Sequence, residues 1–263
     1  MIVLKSEEEI QAIRRSSQIV AKILADLGKL IRPGISTKEL DAFAEEKARE
    51  MGAGPAFKGY RGYPASLCAS VNEEIIHGIP SARVLKEGDI IGLDFGVVYQ
   101  GYYGDAAVTY PVGAISPEAQ ALIDAAEKAF FEGLLELRAG RRISDVSHAI
   151  QKAVESRGFS VIRAFVGHGI GLSLHEEPQI PNFGAPGHGP KIKEGMVVAM
   201  EPMIAAGDGT VEILDDNWTA VTKDRSLSAH YEHTVAVTRN GPEILSRLDD
   251  KEDLSFLKES SYA

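Results

Sequence analysis

The sequence predicts an α+β fold of two pseudo-symmetric halves, with helices packed on a shared, curved antiparallel sheet. One observation behind this is a phrase that occurs twice. Residues 86–94 read KEGDIIGLD and residues 193–201 read KEGMVVAME, 107 positions later. Each copy is a turn-like Lys-Glu-Gly, an apolar run and a carboxylate, Asp94 in the first and Glu201 in the second. A second observation is the order of elements, two helical segments and then strands, read twice along the chain. The third is the placement of the acids. A carboxylate that ends a buried apolar strand is costly unless it is paired or bound to a cation. Two of them at matching points of a duplicated unit predict acids converging on one centre.

The first helix opens with Ser6 and Glu9 as a capping-box pair, and Glu7 and Glu8 suit the positive end of its dipole. Ile10, Ile13, Val20, Leu24 and Leu27 share one face, and Gly28 is the expected stop. A second helix is expected from Ser36 or Thr37 to about Gly52. A third opens at Ser116-Pro117-Glu118, a cap followed by proline at the first helical position, and runs to about Leu137. A fourth opens at Ser144 and ends at Gly158. Strands are expected at Asp89–Val98, Tyr102–Tyr110, Ser160–Phe165, Val197–Ile204, Val211–Leu214 and His233–Val237. The two halves cover about 1–110 and 111–240 of a single domain spanning 1–263, with a polar, peripheral tail at about 247–263.

The 263 residues suit one large domain or two small ones. A net charge of -10 argues against generic nucleic-acid binding. Cys68 is the one cysteine, so neither an intramolecular disulfide nor a thiolate metal cage can form. No apolar run approaches the ~20 residues that cross a bilayer, and the N-terminus lacks the layout of a secretion signal. A cytoplasmic protein is the expectation.

Asp105, in YYGDAAVTY, adds a second acid to the first half. Residues 90–110 read as a hairpin turning near Tyr99-Gln100-Gly101. A two-residue turn at Tyr99-Gln100 sets Asp94 and Asp105 directly opposite, and one at Gln100-Gly101 sets them diagonally. Either register puts both on one face; a three-residue turn without a bulge would separate them. Like charges this close need a cation or a shared proton. The second half repeats the arrangement with Glu201, followed by Pro202, and Glu232 in HYEHTVAV. A fifth candidate is His168, set among Gly167, Gly169 and Gly171. Four carboxylates and one imidazole suit divalent manganese, iron(II), cobalt or zinc more than copper(I). Four acids are too many for one ion with an open position but suit two ions bridged by shared carboxylates, a pair that can activate water and polarise a carbonyl.

Taken singly, each of these acids would read as structural; the repeat is what singles them out. His148 and His188 read as surface or packing residues. His230 and His233 flank Glu232 and read as packing or supporting residues, with alternation pointing His233 to the opposite face. His77, Cys68, Tyr60, Tyr63 and Trp218 read by themselves as ordinary loop, core or surface residues. The spacing of a dinucleotide site, a nucleophile elbow, a phosphate loop and a zinc-helix motif are all missing.

Taken together, IIGLDFG, YYGDAAVTY, GHGIG, MEPM and YEHT, with GYRGYPASLCASVNEEIIHGIP and IPNFG, resemble the type I methionine aminopeptidases. The resemblance spans about residues 4–246. It implies the pita-bread fold and removal of the initiator methionine from nascent proteins whose second residue is small. It further implies five metal ligands: Asp94 at one ion, His168 and Glu201 at the other, Asp105 and Glu232 bridging. By the same resemblance His77 and His175 contact substrate near the scissile bond, Glu201 doubles as the proton shuttle, and Tyr60, Tyr63, Cys68 and Trp218 wall the methionine pocket. Leu174 stands where some bacterial members carry an aromatic residue, and Leu172 and Ser173 replace more polar or charged ones. The implied partner is the N-terminal peptide of a nascent chain, met by a monomer with a transient ribosome contact. Proline-directed relatives carry an added N-terminal domain, for which the stretch before Ile90 leaves no room, and the helical insertion of the type II enzymes is not visible. A proline-directed peptidase and a non-catalytic binding protein on the same fold are the alternatives.

Overall fold

A computed structural model describes residues 1–248, so most of the expected polar tail lies outside the described residues. Four helices, α1 (Glu7–Leu30), α2 (Thr37–Glu50), α3 (Pro117–Glu136) and α4 (Ile143–Glu155), back a nine-stranded antiparallel sheet. The capping boxes Ser6/Glu9 and Ser36/Glu39 are formed, and the Ser116 hydroxyl accepts from Ala119 N. Helix α4 starts before the expected cap. Ser144 Oγ accepts instead from His188 N, and the Asp145 carboxylate accepts from Arg142 N to close the first turn.

Helix α1 runs through Gly28 rather than stopping there, and it ends ahead of Pro33. Packing is what requires this glycine. A Cβ at position 28 would lie 2.8 Å from Tyr110 Cε1, and that ring is held by its hydroxyl donating to Leu24 O at 3.0 Å. We expect Gly28→Ala to lower stability by about 1–2 kcal/mol, overpacking outweighing the gain in helix propensity. Urea denaturation measures this, and a stabilised variant would contradict it.

The duplicated phrase is duplicated structure. Gly88 and Gly195 open the two copies at φ 91° and 86°, a conformation that favours glycine. Gly88 N donates to Val112 O (3.0 Å) and Gly195 N to Val237 O (2.9 Å). Val112 N donates back to Asp89 O and Val237 N to Met196 O. Ahead of each copy, Gly34 N pairs with Leu85 O and Gly140 N with Ile192 O. One core cluster joins α1 and α2 to the sheet through Leu27, Leu40, Leu93 and Phe95. Its counterpart joins α3 and α4 through Leu122, Phe130, Ile150 and Val198.

Strand order places the acids. Ile90–Tyr99 pairs with Tyr102–Pro111, which pairs with Glu232–Thr238, then Val197–Met200, then Val166–Gly169. The hairpin turns at Gln100-Gly101, both at positive φ, so Asp94 opposes Ala107 and Asp105 opposes Gly96. This is the diagonal register. Two expected strands are broken. Ser160–Phe165 forms a strand only at Ser160–Val161, and Val197–Ile204 splits into Val197–Met200 and Met203–Ala205. In both cases the chain leaves one sheet for another. Residues 160–162 pair with 203–205 in a three-stranded sheet, whereas 166–169 and 197–200 stay in the large one. Pro202, which lacks an N–H, marks the second break. The other expected strands form with ends shifted by a residue or so. The short strand Cys68–Val71, hydrogen-bonded along Ile91–Asp94, was not expected.

Candidate metal centre and substrate pocket

Asp94, Asp105, Glu201 and Glu232 are 8, 4, 6 and 2 % exposed, and all four line one pocket. Asp105 is fixed through its backbone: its N–H donates to Thr234 Oγ1 and its carbonyl accepts from the same hydroxyl, at 3.1 and 2.8 Å. Glu201 sits at the break between sheets, with its carbonyl accepting from Asn182 Nδ2 at 2.9 Å. Burial lifts all four carboxyl pKa values. Neighbouring carboxylates add to this for Asp94, Glu201 and Glu232. Asp105 reaches about 7.

His168 faces Glu201, with Nε2 3.5 Å from Oε1. Its Nδ1 lies 2.9 Å from Gly169 O, a contact that requires the proton on Nδ1 and leaves the Nε2 lone pair for a ligand. Burial lowers its pKa to about 4, so the ring is neutral at pH 7. Close backbone approach requires Gly167 and Gly169. A Cβ on either would lie within 2.5 Å of a carbonyl oxygen, of Ala199 and of Glu177 respectively.

A pocket of about 250 Å³ opens onto these five groups, and its lining also includes Tyr60, Tyr63, Cys68, His77, His175 and Trp218. All eleven residues singled out in the sequence therefore meet at one place. Tyr63 donates its hydroxyl between Leu67 O and Gly78 O, and its ring stands edge-on to Trp218 at 5.1 Å. His77 adopts φ 61° and meets Phe165 and Trp218 edge-on. Burial lowers its pKa to about 4. His175, at the mouth, stacks on Tyr60, with Nδ1 3.0 Å from the tyrosine hydroxyl. His148 and His188 are exposed, and His233 points away from the centre to bond Ser246 and Tyr231.

Sequence reasoning missed Phe57 and Phe165 in the pocket wall, and it missed Lys5. The Lys5 side chain is 1 % exposed and its ammonium lies 2.6 Å from Glu176 Oε2. Glu176 Oε1 accepts from Ser173 N. The pair thus straps the N-terminal segment to the loop that carries Leu174 and His175. Glu176→Gln would leave a buried, unpaired ammonium. We expect it to cost about 3 kcal/mol in thermal or urea unfolding; an unchanged midpoint would show that the strap is dispensable.

Residues 11–239 match the metallopeptidase family M24, and the chain belongs to that family. It is 52% identical over 248 residues to methionine aminopeptidase 1 of Bacillus subtilis, covering 94% of this chain and 100% of that one. The crystal structure of methionine aminopeptidase from Thermotoga maritima superposes with a TM-score of 0.93 at 46% identity, covering 94% of this chain and 100% of that one. A prolidase from Pyrococcus furiosus superposes at 0.78 with 22% identity, over 94% of this chain and 66% of that one, a likeness of fold alone.

The donor set fits the divalent ions that this family implies. Asp94 Oδ1 and Asp105 Oδ1 are buried without a hydrogen-bond partner. Ligand atoms of Asp105, His168 and Glu232 lie within 4.8 Å of one another. Unpartnered buried carboxylate oxygens in a like-charged cluster are what a bound cation would satisfy.

Proposed function

We propose that this chain is a methionine aminopeptidase, releasing methionine from the N-terminus of nascent proteins whose second residue is small, as one catalytic domain. The observation that carries the reading is the set of four buried, mutually repelling carboxylates beside a neutral imidazole at the floor of an apolar-walled pocket. The likeness over 94% of the chain to relatives named for this activity supports it. Asp94, Asp105, His168, Glu201 and Glu232 would hold a pair of divalent ions (cobalt, manganese, iron(II) or zinc). Such ions supply Lewis acidity, lowering the pKa of water and polarising a carbonyl.

The remaining steps belong to the chain's own side chains. Tyr63, Cys68 and Trp218, with Tyr60 at the rim, receive the thioether side chain against soft and aromatic surface. Leu174, 2 % exposed beside them, keeps that wall apolar where a ring would narrow it. Glu201, whose carboxylate faces His168 at the pocket floor, carries the proton in transit. His77 and His175 have lowered pKa values, so near neutral pH they act as uncharged N–H donors to the amide and the developing oxyanion. Tyr60, bonded to His175 Nδ1, orients that ring.

Among the described residues no helix is long and apolar enough to cross a membrane. A cytoplasmic monomer with a transient ribosome contact belongs to the same proposal. The test is incubation of manganese- or cobalt-loaded protein with Met-Ala-Ser and with Gly-Pro. Free methionine from the first and no cleavage of the second is expected. Cleavage of Gly-Pro alone would replace this reading with a proline-directed one.

A further inference from the structure

His230 is one more imidazole at the centre. It is 3 % exposed, and its Nε2 is buried without a hydrogen-bond partner. That nitrogen lies 3.9 Å from Glu201 Oε2 and 3.7 Å from Glu232 Oε2. Its ring also falls within 4.8 Å of an Asp94 ligand oxygen. His230 ends the strand Ser228–His230 of a three-stranded sheet and Glu232 opens the next strand in the large sheet, so the turn between sheets at Tyr231 brings the two side chains together. The backbone at 230 is pinned on both sides: its N–H donates to Thr109 Oγ1 and its carbonyl accepts from that hydroxyl, both at 2.9 Å. His230 does not line the substrate pocket.

Glu201 therefore has an imidazole near each oxygen, and the two rings are in opposite states. His168 has its proton on Nδ1, bonded to Gly169 O, and turns a lone pair toward Oε1. His230 faces the Oε2 atoms of two carboxylates, and an ionised carboxylate only accepts. A lone pair there would repel both oxygens, so the favoured tautomer carries the proton on Nε2. The separations exceed a hydrogen bond, but a movement of about 1 Å closes either one to the usual ~2.9 Å.

We propose that His230 is a positioning residue of the metal centre, its Nε2–H holding the carboxylates of Glu201 and Glu232 from outside the pocket lining. This rests on the metal-binding reading of the five residues above. Donors behind ligating carboxylates typically alter metal affinity 10- to 100-fold when removed.

The experiment compares wild type with His230→Leu, His230→Gln and His168→Gln, each folded by circular dichroism. Cobalt affinity of the chelator-treated protein is measured by calorimetry, and the visible spectrum of the cobalt-loaded protein is recorded. We expect His230→Leu to weaken cobalt binding roughly 10- to 100-fold. His230→Gln, whose amide can also donate, should restore affinity to within about threefold and leave the cobalt spectrum unchanged. His168→Gln should shift the spectrum. Wild-type affinity in a folded His230→Leu protein would overturn the proposal. A shifted spectrum in His230→Gln would overturn it differently, by making His230 a direct ligand. If His168→Gln also left affinity and spectrum unchanged, the metal centre itself would fall, and the role of His230 with it.

Discussion

Asparagine in place of Asp105 is expected to end methionine release while leaving the fold intact. The carboxylate is 4 % exposed, its Oδ1 has no hydrogen-bond partner, and its backbone is locked to Thr234. An amide of the same shape keeps the packing but loses the charge at one of the proposed metal ligands. The expected fall in kcat/KM is at least roughly a thousandfold, about 4 kcal/mol of transition-state stabilisation. Metal content should fall with it. His168→Ala removes the lone pair beside Glu201 and should act in the same direction. Near-normal turnover by either purified variant, with metal supplied at a controlled level, would refute the ligand assignment. The metal-free Asp105→Asn protein should also unfold at a higher temperature than metal-free wild type, because one member of a repelling cluster is gone.

That repulsion gives the second large effect, a reversal of pH dependence by metal. Unfolded carboxyls titrate near pH 4. In the fold burial holds Asp105 near 7 and raises Asp94, Glu201 and Glu232. The metal-free folded state thus keeps protons that the unfolded chain releases. Stability from these groups is complete below about pH 4 and is lost as pH rises toward 7. Bound cations favour the ionised forms, so protons compete with them and the loaded protein should gain stability over the same window. Melting temperatures of chelator-treated and manganese-loaded protein, recorded from pH 5 to 8, should diverge as pH rises. Parallel curves would contradict a metal-neutralised carboxylate cluster.

Much of this site was legible because its signals are local. The repeated Lys-Glu-Gly phrase marks two equivalent strands, and the Gln100-Gly101 turn, with positive φ at both residues, sets Asp94 and Asp105 on one face. Capping residues placed three helix starts for the same reason. What sequence did not disclose depends on partners distant in the chain. Gly28 looked like a helix stop because its reason, the Tyr110 ring, lies 82 residues on. The breaks at residues 163–165 and 201–202 follow from sheet switching, which no run of apolar residues announces. Cys68–Val71 is a buried strand of small residues with no alternation to reveal it. His230 read as either packing or supporting, because an imidazole two residues from a ligand carries no sign of which atom it faces. The resemblance, not the pattern, supplied the roles of His77, His175 and the aromatic wall.

The decisive measurement is anomalous diffraction from crystals soaked in manganese or cobalt, recorded at the metal edge. Two peaks are expected at the pocket floor, one bounded by Asp94, Asp105 and Glu232 and the other by Asp105, His168, Glu201 and Glu232. Strong peaks elsewhere on the molecule with none among those five side chains would contradict it.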